Sequence, residues 1–328
     1  MLDSILESLH VVALPTKTDF RSITTREVAL FQGQFGWGEF SPFLEYSPTE
    51  SVPWLASGIE SAFLPSPETK LLQIRVNATL PAVNGADRVA KVLSWFPGCD
   101  TIKIKVGSNL QEDLARISYA RALQPDAKIR LDVNGNWSVE EAVRALRAIN
   151  ENFGEIEYVE QPCATLDELR DLKSKIGIPM KIAGDEVARK AADPLTINLA
   201  GAIDILILKV APLGGVARSH KIAAVHGIPS VVSSALESAV GIAHGLRLAG
   251  SFDSQIYSAG LATGRLLAAD VALLELENGY LNVQSVTPSA ESLSEYSVSL
   301  ARLTWWRERV RHTWDAGASK WIQLEGWM

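Results

Sequence analysis

The sequence predicts an α/β chain in which a small α+β domain precedes a parallel β/α barrel. Three observations carry that expectation. Short β-rich runs recur at residues 72–76, 101–106, 128–133, 156–159, 180–183, 205–210, 230–232 and 255–258. Between most of them, residues 112–123, 140–149, 166–176 and 216–226 set apolar side chains three and four apart, the period of a helix buried on one face. The first 70 or so residues lack this rhythm. Eight strands alternating with helices match a closed parallel barrel. A doubly wound open sheet is the competing architecture. Such sheets usually carry a glycine-rich nucleotide loop after a strand, and neither G-x-G-x-x-G nor G-x-x-x-x-G-K-[ST] occurs.

In chain order, residues 11–14 and 27–31 read as strands, with Gly33, Gly36 and Gly38 as turn residues. Residues 47–66 are rich in Ser, Pro and Glu around apolar patches and are expected to hold a helix. In the barrel, the helix at 139–149 opens on Ser138, a candidate N-cap, with Glu140 and Glu141 in its first turn. Beyond residue 271 the pattern changes. Residues 275–283 suggest a strand pair turning at Asn278-Gly279. Residues 302–314 mix Trp305, Trp306 and Trp314 with Arg307, Arg309 and Arg311. A nucleic-acid patch is one interpretation; the acidity of the chain favours a terminal helix packing its tryptophans on the body.

The 328 residues suit two domains, or one barrel with additions, at about 150 residues per domain. With 47% apolar and 21% charged residues the chain is neither disordered nor collagen-like. Its 31 basic and 38 acidic residues leave a net charge of −7, a poor basis for nucleic-acid or anionic-membrane binding. Two cysteines, Cys99 and Cys163, argue against a disulfide framework or a cysteine zinc site and read as buried small residues. His220, His226 and His244 show no metal-type spacing. Asp3 and Glu7 precede the first lysine, Lys17, so no secretory n-region is expected. No apolar run approaches the ~18 residues of a membrane span. A soluble cytoplasmic α/β protein, without nucleic-acid or membrane partners, is the expectation.

In a β/α barrel, catalytic groups collect at the C-terminal ends of the strands. There the runs give Lys103-Ile104-Lys105, then Asp132 with Asn134, then Glu160, then Asp185-Glu186, then Lys209. From Lys105 onward the steps are 27, 28, 25 and 24 residues, each about one β/α unit. Taken singly, each residue fits a helix cap, a rim salt bridge or an edge-strand lysine. Together they have five consecutive strands each present an ionisable group at one rim. Strand alternation puts Lys103 and Lys105 on one face. Three carboxylates meeting there repel unless a cation relieves them, and all-oxygen donors suit Mg²⁺ or Mn²⁺. A lysine beside a cation and another lysine is favoured in its neutral form and can act as a base. Such an assembly suits removal of a proton α to a carboxylate, with the metal stabilising the enediolate.

These residues resemble the enolase superfamily, in its muconate-lactonizing-enzyme-like subgroup. The resemblance extends to Gly36-Trp37-Gly38-Glu39-Phe40-Ser41-Pro42, which is similar to that family's capping domain. Within the subgroup the chain looks most like the short actinobacterial o-succinylbenzoate synthases of menaquinone biosynthesis. Phe20-Arg21, Thr24-Thr25-Arg26-Glu27, Arg130 two residues before Asp132, and Ser233-Ser234-Ala235-Leu236-Glu237-Ser238 carry that likeness. The resemblance implies a modified TIM barrel, (β/α)7β, over residues 76–270. It implies an α+β capping domain over 1–75, with 271–328 completing the cap and packing on the body. It also implies roles. Asp132, Glu160 and Asp185 would bind the metal. Lys105 would remove the proton from 2-succinyl-6-hydroxy-2,4-cyclohexadiene-1-carboxylate, and Lys209 on the opposite face would stabilise the enediolate. Lys103 would tune Lys105 and contact the carboxylate. Arg130, Ser233, Ser234 and Phe20 would bind substrate, and Asn134 and Glu186 would orient the inner residues. Phe20 falls in a closing loop that here reads Pro15-Thr16-Lys17-Thr18-Asp19-Phe20-Arg21-Ser22, without the family's glycine.

The alternative is an N-acylamino-acid racemase or dipeptide epimerase, which would use the same metal and two opposed lysines. An epimerase would place Asp-x-Asp late in the barrel, where this chain has Gly260-Leu261-Ala262-Thr263. A non-catalytic barrel is the third possibility, and the intact set of six central residues speaks against it. The sequence leaves the oligomeric state open.

Overall fold

A computed structural model of the chain describes residues 1–20 and 23–327, the side chain of Phe20 excepted. Helix α1 (Leu2–Glu7) leads into an antiparallel sheet of β1 (His10–Phe20), β2 (Ile23–Gly33) and β3 (Gly36–Phe40), paired in that order. The stretch expected as a closing loop is therefore extended strand up to Phe20, which pairs with Ile23. Phe20's side chain, Arg21 and Ser22 lie outside the described residues. Helix α2 (Pro48–Phe63) starts where the sequence places its signals. The Ser47 hydroxyl accepts from the Glu50 N–H, the Glu50 carboxylate accepts from the Ser47 N–H, and Pro48 occupies the first turn. α2 lies flat on β3 because glycines face each other there: a Cβ on Gly58 would stand 2.6 Å from the Glu39 carbonyl oxygen.

The second layer begins after β4 (Gln73–Arg75). In order come β5 (Ala78–Leu80), α3 (Ala86–Leu93), β6 (Thr101–Lys105), α4 (Leu110–Leu123), β7 (Lys128–Asp132) and α5 (Val139–Phe153). Then follow β8 (Tyr158–Glu160), α6 (Leu166–Lys175), β9 (Ile182–Gly184) and the single turn α7 (Glu186–Arg189). β10 (Ile205–Lys209), the short α8 (Val210–Leu213), α9 (Val216–His226), β11 (Ser230–Ser233) and α10 (Ala239–Gly250) complete the series. β5 to β11 form one parallel sheet in sequential order. Its two edges meet through Ala259 and Gly260. Gly260 bridges Ser233 and Ala259 bridges Val76, both in parallel sense. Gly260 N–H donates to the Val232 carbonyl at 2.8 Å, and Asn77 N–H to that of Ala259 at 2.9 Å. Two residues thus stand in for an eighth strand.

Two expected strands are corrected by this. Residues 73–75 pair antiparallel with β12 (Tyr280–Asn282) outside the barrel, and the first barrel strand lies a few residues later. Leu72 is 72% exposed, whereas Ala78, Thr79 and Leu80 are buried. The run 255–258 forms no strand, and its Ile256 is 63% exposed; the closure falls on the next two residues. The turn at Asn278-Gly279 does form, with φ of 50° and 81° and a bridge between Glu277 and Tyr280.

Strand alternation divides the barrel core. On β10, Leu206 and Leu208 face the helical layer, while Ile205 and Ile207 fill the lumen with Tyr158, Ala183 and Val231. Each such fully buried aliphatic side chain contributes about 1.5–3 kcal/mol. The remaining helices, α11 (Ala290–Glu295), α12 (Leu300–Thr313) and α13 (Ser319–Leu324), return to the first layer. Trp306, Val310, Ala318 and Ile322 share a core with Ile5, Phe31, Phe40 and Trp54. Among the described residues no helix is long and apolar enough to cross a membrane.

Candidate active site

The alternation that fills the lumen also aims the ionisable groups. On β6, Ile102 and Ile104 belong to the helical layer, so Lys103 and Lys105 point inward. On β7, Ile129 and Leu131 point outward, and Arg130 and Asp132 inward. Glu160 follows Tyr158 on the inner face of β8, and Lys209 follows Ile205 and Ile207 on that of β10. The register sets Lys105, Asp132 and Glu160 side by side and Lys209 beside Ser233. β6 and β10 are the second and sixth of eight ring positions. Lys105 and Lys209 therefore face each other across the mouth.

The charged groups are interlocked. Lys103 Nζ lies 3.1 Å from both the Asp132 and Glu160 carboxylates. Lys105 Nζ donates to Asp132 at 2.6 Å and to the Asn134 side-chain oxygen at 2.7 Å. Lys209 Nζ donates to Asp185 at 2.5 Å. Burial would raise all three carboxyls. Lys105, Lys103 and Lys209 outweigh it at Asp132, and Lys209 and Arg189 at Asp185, holding both well below the usual carboxylate range. Glu160 goes the other way, raised by burial and then by Asp132 and Asp185. Burial disfavours the Lys103 ammonium, but Glu160 and Asp132 override it and raise its pKa.

Backbone turns just past the strands fix the surrounding residues. Asn134 and Gln161 adopt left-handed φ of 54° and 43°. The Gln161 side-chain oxygen accepts from the N–H groups of Asp185 and Val187, both at 3.1 Å. Asn134 donates to Glu186 at 3.3 Å. A cleft of about 590 Å³ opens beside Lys105, lined also by Asp19, Arg88, Ser108, Asn134 and Asn136. On the Lys209 side, the loop 233–238 is held from the first layer. Arg26 Nε donates to the Leu236 carbonyl at 3.0 Å, and Glu39 accepts from the Ser238 hydroxyl at 2.6 Å and from Gly241 N–H at 3.0 Å. Leu236 there has a φ of 63°, a costly conformation for a bulky side chain.

Two matches to family descriptions and the likeness to known proteins agree with this layout. "Enolase C-terminal domain-like" matches residues 87–288, and "Enolase N-terminal domain-like" matches residues 11–62. The chain is 48% identical over 313 residues to the o-succinylbenzoate synthase of Mycolicibacterium smegmatis, covering 94% of this chain and 96% of that protein. To that of Mycobacterium leprae it is 49% identical, covering 94% and 92%. The chain belongs to the o-succinylbenzoate synthase family of the enolase superfamily. Among solved structures, muconate lactonizing enzyme from Pseudomonas fluorescens, complexed with muconolactone, superposes with a TM-score of 0.76 at 20% identity. That match covers 89% of this chain and 98% of the other. The Pseudomonas putida enzyme gives a TM-score of 0.72 at 20% identity, covering 88% and 98%. Both show the fold.

Members of the enolase superfamily depend on a divalent metal ion. The donors here suit one: three buried carboxylates on neighbouring strand ends, with no sulfur or imidazole among them. Among the described residues, no three His, Cys, Asp or Glu side chains are gathered as a bound ion would hold them. Each carboxylate is turned onto an ammonium instead. Lys103, Lys105, Lys209 and Arg189 offset Asp132, Glu160, Asp185 and Glu186, so the cluster is electrically balanced.

The structure gathers Lys103, Lys105, Asp132, Asn134, Glu160, Asp185, Glu186 and Lys209 in one network. It does not bring Arg130 into it. That guanidinium donates to Glu157 at 2.5 Å and to the Ser258 carbonyl at 2.6 Å, and lies 4.8 Å from the Tyr158 ring centroid. Glu157 precedes β8, so Arg130 reaches the end of the barrel away from Glu160 and plugs the lumen. The expected contact of Arg130 with the substrate carboxylate gains no support from these contacts. Ser233 lies at the mouth beside Lys209. The Ser234 hydroxyl is engaged by the Gly260 carbonyl at 2.6 Å and the Thr263 hydroxyl at 2.7 Å.

Sequence reasoning assigned no role to Gln161, Arg189 or Tyr46. Arg189, one turn after Asp185, donates to Asp185 at 3.0 Å, to Glu186 at 2.8 Å and to the Tyr46 hydroxyl at 3.0 Å. The i, i+4 spacing to Asp185 was a visible signal. The contact to Tyr46, 143 residues away, was not.

Proposed function

We propose that the chain catalyses dehydration of 2-succinyl-6-hydroxy-2,4-cyclohexadiene-1-carboxylate to 2-succinylbenzoate. The identity to the curated synthases over nearly the whole chain supports the reaction. The observation that carries the mechanism is the placing of Lys105 and Lys209 on opposite sides of one mouth, with three carboxylates between them in the ring.

Asp132, Glu160 and Asp185 would hold the divalent ion, Mg²⁺ or Mn²⁺. When bound, it supplies neutralisation of the substrate carboxylate and so acidifies the adjacent C–H. Two added positive charges unbalance the cluster. A dicarboxylate substrate restores the balance, and loss of a proton from Lys105 is favoured in the same direction. A charged Lys103 beside it would disfavour a proton on Lys105. Lys105 Nζ takes the proton from C1 of the ring. The Lys209 ammonium faces the electron pair released toward the carboxylate and stabilises that charge. Lys105 then delivers the proton to the hydroxyl leaving C6. Hydrogen and hydroxyl depart from one face as water, the elimination is syn, and the ring becomes aromatic. Asn134 orients Lys105, and Glu186 orients Asn134. Ser233 and the backbone of the 233–238 loop would meet the succinyl arm.

Opposed lysines also suit 1,1-proton transfer on a dipeptide with a free α-ammonium. The strand-eight position, however, presents Gly260 to Thr263 with no carboxylate to receive an α-ammonium. Loss of diene absorbance with substrate and Mg²⁺ tests the proposal. Turnover abolished by chelator and by Lys105→Ala supports it; a folded, metal-loaded chain without turnover overturns it.

A further inference from the structure

Both lysines are wired to one guanidinium. From Lys209 the contacts run to Asp185 at 2.5 Å and on to Arg189 at 3.0 Å. From Lys105 they run to Asn134 at 2.7 Å, to Glu186 at 3.3 Å and to Arg189 at 2.8 Å. The third arm of Arg189 leaves the barrel and donates to the Tyr46 hydroxyl at 3.0 Å. The Arg189 side chain is 4% exposed, so these bonds are sheltered from competing water.

Tyr46 belongs to the segment joining β3 to α2, and that segment is itself anchored. Its ring stands edge-on to Phe43 and Trp54, with centroids 5.7 and 6.2 Å away. From α12, Arg309 donates to the carbonyls of Phe43 at 2.7 Å and Tyr46 at 3.1 Å. The Arg26 guanidinium lies 4.8 Å from the Phe43 ring centroid. Tyr46 is thus held by the first layer and touches the second at a fork that reaches both lysines. A guanidinium presents its donors in a rigid plane, so a shift in any one partner is felt by the others.

We infer that Arg189 is a positioning residue through which Tyr46 sets the geometry of Lys105 and Lys209 together. The seating of residues 41–47 on the barrel then governs both proton-handling groups at once. This rests on the reaction proposed above only for its kinetic readout. A chain whose cap segment is unseated would have its lysines misaligned.

The test is a double-mutant cycle of Tyr46→Phe and Arg189→Met, read by turnover and by backbone hydrogen–deuterium exchange. Tyr46→Phe keeps the ring and its packing and removes only the hydroxyl. We expect kcat to fall about tenfold with KM moved less than threefold. Arg189→Met should cost at least a hundredfold in kcat, with Arg189→Lys between them. The double variant should be no slower than Arg189→Met alone, because the hydroxyl acts only through the guanidinium. In exchange, each single variant should deprotect both segments, 43–47 and 186–190. Multiplying kinetic effects would overturn the inference, as would Arg189→Met deprotecting 186–190 while 43–47 stays as in the parent. The exchange arm needs no substrate. Coupled exchange in a chain that does not turn over the diene therefore upholds the wiring and sinks the proposed reaction alone.

Discussion

Glu39 is buried on β3, facing Glu237 and receiving hydrogen bonds from Ser41, Ser238 and Gly241. Burial, then repulsion from Glu237, raises its pKa to about 7. The neutral form is thus favoured in the folded chain. Stability from this group is present in full below about pH 4.5, its ordinary value, and is lost as pH rises through about 7. The loss is on the order of 3 kcal/mol. Thermal unfolding of the parent and of Glu39→Gln across pH 4.5–8 should show the difference shifting against the parent over that interval. A constant difference would contradict it. The lysines give a second expectation at this scale. Lys105→Ala should lower kcat about 10²–10⁴-fold, the range of a general acid–base group, with circular dichroism unchanged. Parent-like turnover would remove Lys105 from the mechanism. These residues were legible in the sequence because barrel periodicity repeats them every 24–28 positions. The end of the lumen that Arg130 occupies was not legible, for a related reason. Two residues before Asp132, Arg130 shares the inward face, but alternation does not say toward which end of the lumen a long side chain runs.

Helix α2 shows how an element can reverse the ordinary propensities. A glycine inside a helix normally gains about 1 kcal/mol when replaced by alanine. At Gly58 the added methyl would meet the Glu39 carbonyl oxygen and the Phe31 ring, both under 3.0 Å away. Gly58→Ala should therefore destabilise, by about 1–3 kcal/mol, through parting of α2 from β3. A raised unfolding midpoint in denaturant would show that the helix can shift without cost. The start of α5 was legible because Ser138 announced it, whereas α10, capped by Ser238, was not expected. The last barrel position was not legible either. Its two bridging residues are too short a segment for periodicity, and the more strand-like 255–258 beside them drew the assignment.

At the scale of the molecule, an ion held by the proposed ligands Asp132, Glu160 and Asp185 would bind the folded chain and not the unfolded one, and would so add to stability. Mg²⁺ at about a hundredfold its dissociation constant should add about 2.7 kcal/mol, seen as a rise in Tm that chelator reverses. Glu160→Gln and Asp185→Asn should lose that response. An equal rise in the parent and both variants would place the ion elsewhere. The two-layer plan itself was readable, since the middle of the sequence has a β/α rhythm and the stretches on either side of it do not. The wiring between layers was hidden, because Arg189, Tyr46 and Arg309 lie far apart in the chain and meet only through the fold.

The core of the first layer draws on both ends of the chain, with Trp306 and Ile322 packed among Phe31, Phe40 and Trp54. During synthesis the opening strands leave the ribosome without those partners. About 260 residues separate Phe40 from α12, and at about 5–20 residues per second the interval is on the order of 10–50 s. Every barrel strand emerges within that wait. Nascent chains arrested near residue 300, with residues 259–260 clear of the ribosome and α12 not yet out, should carry a protease-resistant barrel beside a first domain that is still digested.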